Sequence, residues 1–228
     1  MLASTARAEL NTLPMVPADC LTQHLKTGAA RTLEAKEHVF HEGDNASHVY
    51  RVEAGCICVY RLMPNGRRQV TDFAWPGDLI GLGVVQEHTS NAEALTLSRV
   101  RSVPMASLYA HARGDAQFSL KLFEQVSHEL SGARQMLATL NQRSACEKVA
   151  AFLVALSQRN ERNGADPHQL LLPMTRTDIA DFLGLTIETV SRTLTKFRLK
   201  GLIDLAQCAH VTIKNMMGLS ELAEGALD

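Results

Sequence analysis

The 228-residue chain has no apolar run approaching the roughly 18 to 20 residues that span a bilayer. Its N-terminus also lacks the basic-then-apolar order of a signal peptide. The protein is therefore expected to stay in the cytoplasm and to have no membrane partner. Charge excess is missing too, since 23 Lys and Arg stand against 24 Asp and Glu for a formal net charge of -1. Bulk electrostatics cannot draw such a molecule to a polyanion, so any nucleic-acid footprint has to be local. Five cysteines, an odd number at irregular spacing, do not describe a disulfide framework. No nucleophile and base pair and no phosphate-binding loop stands out, which leaves catalysis without support and predicts that the chain is not an enzyme. Hydrophobic residues, at 46%, are plentiful enough to fill one large or two modest domains.

The stretch TRTDIADFLGLTIETVSRTLTKFRLKGLI, from Thr175 to Ile203, carries the most information. Thr175 can cap a helix, and Asp178 three residues later completes a T-x-x-D capping box. Ile179, Phe182 and Leu183 recur at i, i+3 and i+4 and form one apolar stripe, with Gly184 marking the helix end. Thr186 opens a second helix, in which Ile187, Val190, Leu194 and Phe197 are expected to face a core. Glu188, Ser191, Arg192 and Lys196 lie on the other side. Two helices meeting at a Gly-containing turn define a helix-turn-helix, whose second helix enters the major groove of double-stranded DNA with its N-terminal residues on base edges. Arg bonds two guanine acceptors, Glu accepts from the cytosine amino group, and Ser bonds either way. Glu188, Ser191 and Arg192 are thus the expected base-contacting residues, and Thr175, Arg176 and Lys196 the expected phosphate contacts. The bland reading of Glu188 and Arg192 is an i, i+4 ion pair on a solvated face. This segment holds five basic against three acidic residues, a local excess of +2. Gly201 stops the second helix, and LIDLAQCAHVTIKN reads as two short strands around a loop, a wing.

Upstream, residues 1–30 read as an N-terminal arm. From 31 to 116 short runs of period two alternate with Gly-bearing turns at about ten-residue spacing, which predicts a β-roll of jelly-roll type. Over 117–142 the period becomes helical, and Phe123, Val126, Leu130, Ala133, Leu137 and Leu140 follow a 3, 4, 3, 4, 3 spacing. A heptad seam of this kind predicts a homodimer interface; the alternative is a stripe packed only on the chain's own β-domain. A dimer would set two recognition helices about 34 Å apart on one face of the duplex. Residues 143–228 complete the fold as a winged helix-turn-helix, with a helix over Ser144 to Arg159 and a short buried strand at Leu170 to Leu172. The fold class expected is α+β.

A β-roll, a long helix and a winged helix-turn-helix in this order resemble the Crp/Fnr superfamily of transcription regulators from about Ala35 onward. The resemblance is carried by Gly77-Asp-Leu-Ile-Gly81, the Tyr50 to Gly55 strand and turn, Asp178-Ile-Ala-Asp-Phe-Leu-Gly184, and Glu188-Thr-Val-Ser-Arg192. In the Fnr branch the E-x-x-S-R pattern implies a TTGAT-type half-site. The sensory features depart from the better-known members. Cyclic-nucleotide binders carry an Arg-Ser pair on the phosphate, whereas Thr89-Ser-Asn-Ala-Glu93 has no Arg and presents Glu93, expected to repel a phosphate. Cluster-bearing members need about four thiolates, whereas only Cys20 lies near the N-terminus and Arg101 stands where a β-roll cysteine would align.

Matching the recognition triplet without either sensor makes the chain similar to FixK-like regulators. That similarity implies a dimeric activator of genes for low-oxygen respiration or nitrogen metabolism, working without a cofactor or small ligand and touching RNA polymerase through exposed loops such as Met63 to Arg68. The alternatives are a regulator responding to haem or nitric oxide and, from another class, a cupin-like metalloenzyme built on His38, His41 and His48. Against the metalloenzyme, His38 and His41 at i, i+3 are expected on opposite faces, and Cys56 and Cys58 on one face of a strand.

Overall fold

The computed structural model describes residues 28–225 apart from 84, 85, 143 and 208. Nearly all of the expected N-terminal arm, with Cys20, and the wing residue Cys208 lie outside the described residues. The chain divides into two compact units, Met1–Leu130 and Ser131–Asp228.

The first unit contains strands β1 (Ala29–Leu33), β2 (His38–Phe40), β3 (His48–Ala54), β4 (Ile57–Leu62), β5 (Arg68–Ala74), β6 (Leu79–Ile80), β7 (Asn91–Ala94) and β8 (Ser98–Pro104). They form two antiparallel four-stranded sheets, ordered β1-β8-β3-β6 and β2-β7-β4-β5. Period-two alternation sends Val52, Ile57, Ala92, Ala94 and Val100 inward, where they meet Leu33, Val39, Phe40, Ala74 and Ile80 in one buried cluster. The turn between β3 and β4 requires glycine on two counts. Gly55 has φ +85°, and a Cβ there would fall 2.2 Å from Ser98 Oγ.

Helix α1 (Met105–Gly114) and helix α2 (Ala116–Gln142) follow the last strand, and the division between the units falls within α2. Near its start α2 is fixed by Phe118, fully buried in a second cluster with Val49, Leu79, Val103 and Leu108, to which Leu122 adds.

The second unit comprises α3 (Ala145–Arg162), β9 (Gln169–Leu171), α4 (Arg176–Leu183), α5 (Ile187–Leu199), β10 (Ile203–Gln207), β11 (His210–Ile213) and α6 (Met216–Glu224). Ser144 caps α3 by accepting from the Glu147 amide at 3.3 Å. From α3, Val149, Phe152 and Leu153 are buried with Ile179 and Leu183 of α4 and Val190, Leu194 and Phe197 of α5. Phe152 meets Phe182 edge-on at 5.8 Å. The wing hairpin β10–β11 gains β9 as a third, antiparallel strand. Leu170 and Leu172 are buried as expected, but Leu171 is exposed, because the alternation of β9 turns it to the outer face.

Candidate nucleic-acid interface

The two helices of the motif are set by local chemistry. Thr175 Oγ1 accepts from the Asp178 amide at 3.1 Å, and the Asp178 carboxylate accepts from the Thr175 amide at 2.8 Å, closing the capping box. Thr175 also donates its hydroxyl to Asp178 at 2.7 Å. Gly184 ends α4 in the left-handed region at φ +65°, and the Leu185 amide returns to the Ala180 carbonyl at 2.9 Å. Thr186 then caps α5 by accepting from the Thr189 amide at 3.2 Å. The Gly184 turn and the Thr186 cap thereby set where α5 begins relative to the end of α4.

Glu188, Ser191 and Arg192 are all exposed on α5. No ion pair joins Glu188 to Arg192 among the described residues, so the expected alternative of a surface pair is not formed. Both groups remain open to a ligand. Glu188 lies in the first turn, where a carboxylate complements the positive end of the helix dipole.

The expected phosphate contacts differ among themselves. Lys196 is exposed and directs its Nζ to Cys146 Sγ at 3.6 Å. Arg176 is half-buried at the first position of α4. The Thr175 hydroxyl is engaged within the capping box on both its donor and its acceptor side.

One expectation is overturned on this helix. Ile187 does not face the core with Val190, Leu194 and Phe197 but is 42% exposed. It is the first residue of α5 and stands at the rim of the apolar stripe, one turn before Ser191. The 3, 4, 3 spacing identifies a stripe but not where the packed partner ends, and so it points Ile187 inward. Its exposure adds an apolar group to the outward face.

On α2, Phe123, Val126 and Leu130 are 70%, 42% and 49% exposed. Phe118 and, partly, Leu122, nearer the start of the helix, pack on the roll of the same chain, and beyond them this stripe is left largely open. Leu120 is exposed as well and extends the apolar surface. The side chains of Ala133, Leu137 and Leu140 lie outside the described residues.

The histidines also differ from expectation. His38 and His41 do not lie on opposite faces; their rings stack with centroids 4.4 Å apart. β2 ends at Phe40 and its register is interrupted between His38 and Phe40, so simple alternation does not reach His41. His38 Nε2 meets Tyr60 Oη at 3.0 Å and Glu93 at 3.7 Å, while the Arg68 guanidinium covers the Tyr60 ring at 4.3 Å. Burial, chiefly, lowers the His38 pKa, with His41 next and Glu93 opposing. Among the described residues no group of three or more His, Cys, Asp or Glu is arranged to hold a metal ion. Cys56 precedes β4 and Cys58 lies within it; both are buried, and Cys58 Sγ accepts from Arg68 at 3.2 Å.

A β-roll followed by a helix with a free apolar face and a capped, winged helix-turn-helix defines a DNA-binding regulator. Family models give the same division: a cyclic nucleotide-binding domain matches residues 30–113, and a Crp-like helix-turn-helix domain matches 147–222. The chain is 34% identical over 218 residues to the transcriptional activator protein FnrA of Stutzerimonas stutzeri, covering 95% of this chain and 88% of that protein. It is 41% identical over 167 residues to the nitrogen fixation regulation protein FixK of Bradyrhizobium diazoefficiens, covering 73% and 70% of the two. The solved structure of FixK2 from Bradyrhizobium japonicum superposes with a TM-score of 0.79 at 34% identity, over 86% of this chain and 96% of that one. The chain belongs to the Crp/Fnr family of transcription regulators; it is a DNA-binding regulator and not an enzyme.

The roll does not fit a cyclic nucleotide. The segment Thr89 to Glu93 contains no Arg to pair a buried phosphate. Asn91 is buried and its Oδ1 accepts from the Glu42 amide at 3.2 Å, so its side chain is committed to the fold. Between the sheets lies the apolar cluster that includes Ile57 and Phe40. Glu93 acts differently from expectation: alternation with the inward Ala92 and Ala94 turns it to the outer face, beside His38 and Arg68. Arg101, which the family resemblance sets where a β-roll cysteine is expected, donates to Glu53 at 2.5 Å and to the Gly28 carbonyl at 2.7 Å. Its role there is to tie β8 to β3 and to the residue before β1.

Among the described residues no helix is long and apolar enough to cross a membrane. Helix α6, capped by Asn215 at 3.0 Å from the Gly218 amide, was not read from the sequence. An Asn followed three residues later by Gly gives a weaker start signal than the T-x-x-D of α4.

Proposed function

We propose that the chain binds a TTGAT-type palindrome as a homodimer, each protomer reading one half-site with Glu188, Ser191 and Arg192. The observation that carries this reading is the open state of those three side chains on the outward face of a helix capped at its start. Arg192 bonds guanine, Glu188 accepts from the paired cytosine, and Ser191 serves the neighbouring position. Ile187, beside Ser191, offers an apolar contact of the kind that recognises a thymine methyl. Lys196 and Arg176 hold flanking phosphates, and Thr175 contributes by setting α4 rather than by donating its hydroxyl. Residues 1–30, 31–116, 117–142 and 143–228 then act as arm, roll, dimerisation helix and DNA-binding domain.

Homodimerisation is supported by the exposed apolar run Leu120, Phe123, Val126 and Leu130 on α2. The roles of the relatives, transcriptional activation, regulation of nitrogen fixation and anaerobic regulation, support an activator of low-oxygen respiration or nitrogen-metabolism genes, and such a regulator would act in the cytoplasm. The lack of an Arg between Thr89 and Glu93 supports action without a cyclic nucleotide. RNA polymerase is contacted through the β4–β5 hairpin, where Leu62 and Met63 are exposed beside Arg67. The test is fluorescence anisotropy on a labelled palindrome. Arg192→Ala should cost about 1 to 3 kcal/mol there and leave random DNA unaffected. Equal loss on both would show that Arg192 holds phosphate and would overturn the assignment.

A further inference from the structure

The turn after β2 and the segment before β7 are zipped together by main-chain hydrogen bonds. The Gly43 amide donates to the His88 carbonyl, the His88 amide to Asp44, and the Ala46 amide to Gln86, each at 2.8 Å. Asn45 and Glu87 face each other as a bridge. The His88 imidazole is buried at this zipper, only 6% exposed. It lies flat on Phe40, with ring centroids 3.8 Å apart and planes at 12°. Gly81 makes room for it, since a Cβ there would come within 3.0 Å of His88 Cε1. His88 Nε2 is buried without a hydrogen-bond partner. Orphaned buried polar atoms are uncommon in folded proteins and call for a specific reason.

We propose that His88 is a proton-operated latch on the β-roll: the neutral ring clamps residues 86–88 to the 43–46 turn, and protonation lets the two segments part. A neutral imidazole forfeits one hydrogen bond by burying Nε2. An imidazolium would bury a charge with no acceptor at that atom, which is far more costly. The surroundings offer little relief. Phe40 of β2 and Tyr50 of β3 bring no carboxylate; His48 of β3 is held by Ser47 Oγ at 2.9 Å; and Arg31 of β1 acts on Tyr50 with a positive charge. Asp44 is the carboxylate that favours the charged ring, but its Oδ2 already accepts from the His41 amide at 2.8 Å. Burial outweighs it and holds the His88 pKa below 6.5. The latch also controls access, because the same two segments wall a cavity of about 500 Å³ lined in part by Gly43, Asn45, Ala46, Gln86, Glu87 and Tyr109.

With the closed-state pKa below 6.5 and the open-state pKa at the ordinary 6.5, the latch is indifferent to pH above that value. As pH falls below it, the open state takes up the proton first. The closed-to-open ratio then drops by up to about tenfold per pH unit until the closed-state pKa is reached. Amide hydrogen exchange on the full chain between about pH 5 and 7.5, corrected for intrinsic rates, reads this directly at Gly43, Ala46 and His88. Protection should be flat in the upper range and fall in the lower, and His88→Phe, which keeps the ring stack without titrating, should stay protected throughout. Histidine Cε1 shifts of the unsubstituted protein supply a readout that needs no variant, with a His88 midpoint below 6.5 expected. A His88 midpoint at or above 6.5, or loss of protection in His88→Phe parallel to the unsubstituted protein, would overturn the latch.

Discussion

Phe123 offers the most quantitative handle on how the chain assembles. Its side chain is 70% exposed on α2, the largest apolar group of a face that also carries Leu120, Val126 and Leu130. A Phe buries roughly 200 Å² when fully covered, so about 140 Å² remains to be covered by a partner. At about 25 cal/mol per Å² that area corresponds to roughly 3.5 kcal/mol, and truncation to Ala would forfeit about 2 to 3 kcal/mol of it per protomer. A twofold seam counts the residue twice, giving roughly 4 to 6 kcal/mol for Phe123→Ala and a dimer dissociation constant raised about a thousandfold or more. Sedimentation equilibrium over a wide concentration range measures this shift, and circular dichroism checks that the helix persists. Lys121→Ala is the control: its bond to Glu124 at 2.7 Å is exposed and contributes little. A Phe123→Ala protein that dimerises as tightly as its parent would refute the assignment of this face to self-association.

Three further perturbations probe separate links. Thr175→Ala removes the hydroxyl of the capping box and should lower the stability of the second unit by about 1 kcal/mol in urea unfolding, with Thr175→Ser restoring most of it. Ile187→Ala should leave folding intact, because the side chain is exposed. It should also erase the parent protein's preference for thymine over uracil at one half-site position, and an unchanged preference would remove Ile187 from the reading face. For His38 the folded pKa is lowered, chiefly by burial, so the unfolded chain takes up the proton first as pH falls below 6.5 and stability declines there; His38→Gln should flatten that decline in unfolding midpoints measured across the range.

The parts of the molecule that were legible are those specified by neighbours in sequence. T-x-x-D, Gly184 and the apolar spacing of Ile179, Phe182 and Leu183 state the first helix and its end within ten residues, and the structure follows them. The seam on α2 is legible as a period, but how far along the helix the roll covers it is settled by Phe118 and Leu122, whose burial depends on strands far away in sequence. Sheet order shows the same limit. β8 lies between β1 and β3, a pairing across about seventy residues that no local pattern announces. Ile187 departs from expectation because periodicity assigns faces along an element and is blind to where the neighbouring element stops, whereas Leu171 departs because three consecutive leucines read as buried throughout although the alternation of β9 turns the middle one outward. The His38–His41 stack escaped because β2 ends one residue before His41. His88 carried no sequence signal: an isolated histidine in a loop becomes notable only when Phe40 and Gly81 close around it.

The central claim, that Arg192 reads the guanine of a TTGAT-type half-site, is tested most directly by a double-mutant cycle with the base. Affinities of the parent and of Arg192→Ala are measured on the palindrome and on the same palindrome carrying 7-deazaguanine, which lacks the N7 acceptor. The account predicts that the modified base weakens the parent by about 1 kcal/mol or more and leaves Arg192→Ala unaffected, because the partner of N7 is already gone. Equal weakening of both proteins by the modified base would contradict it.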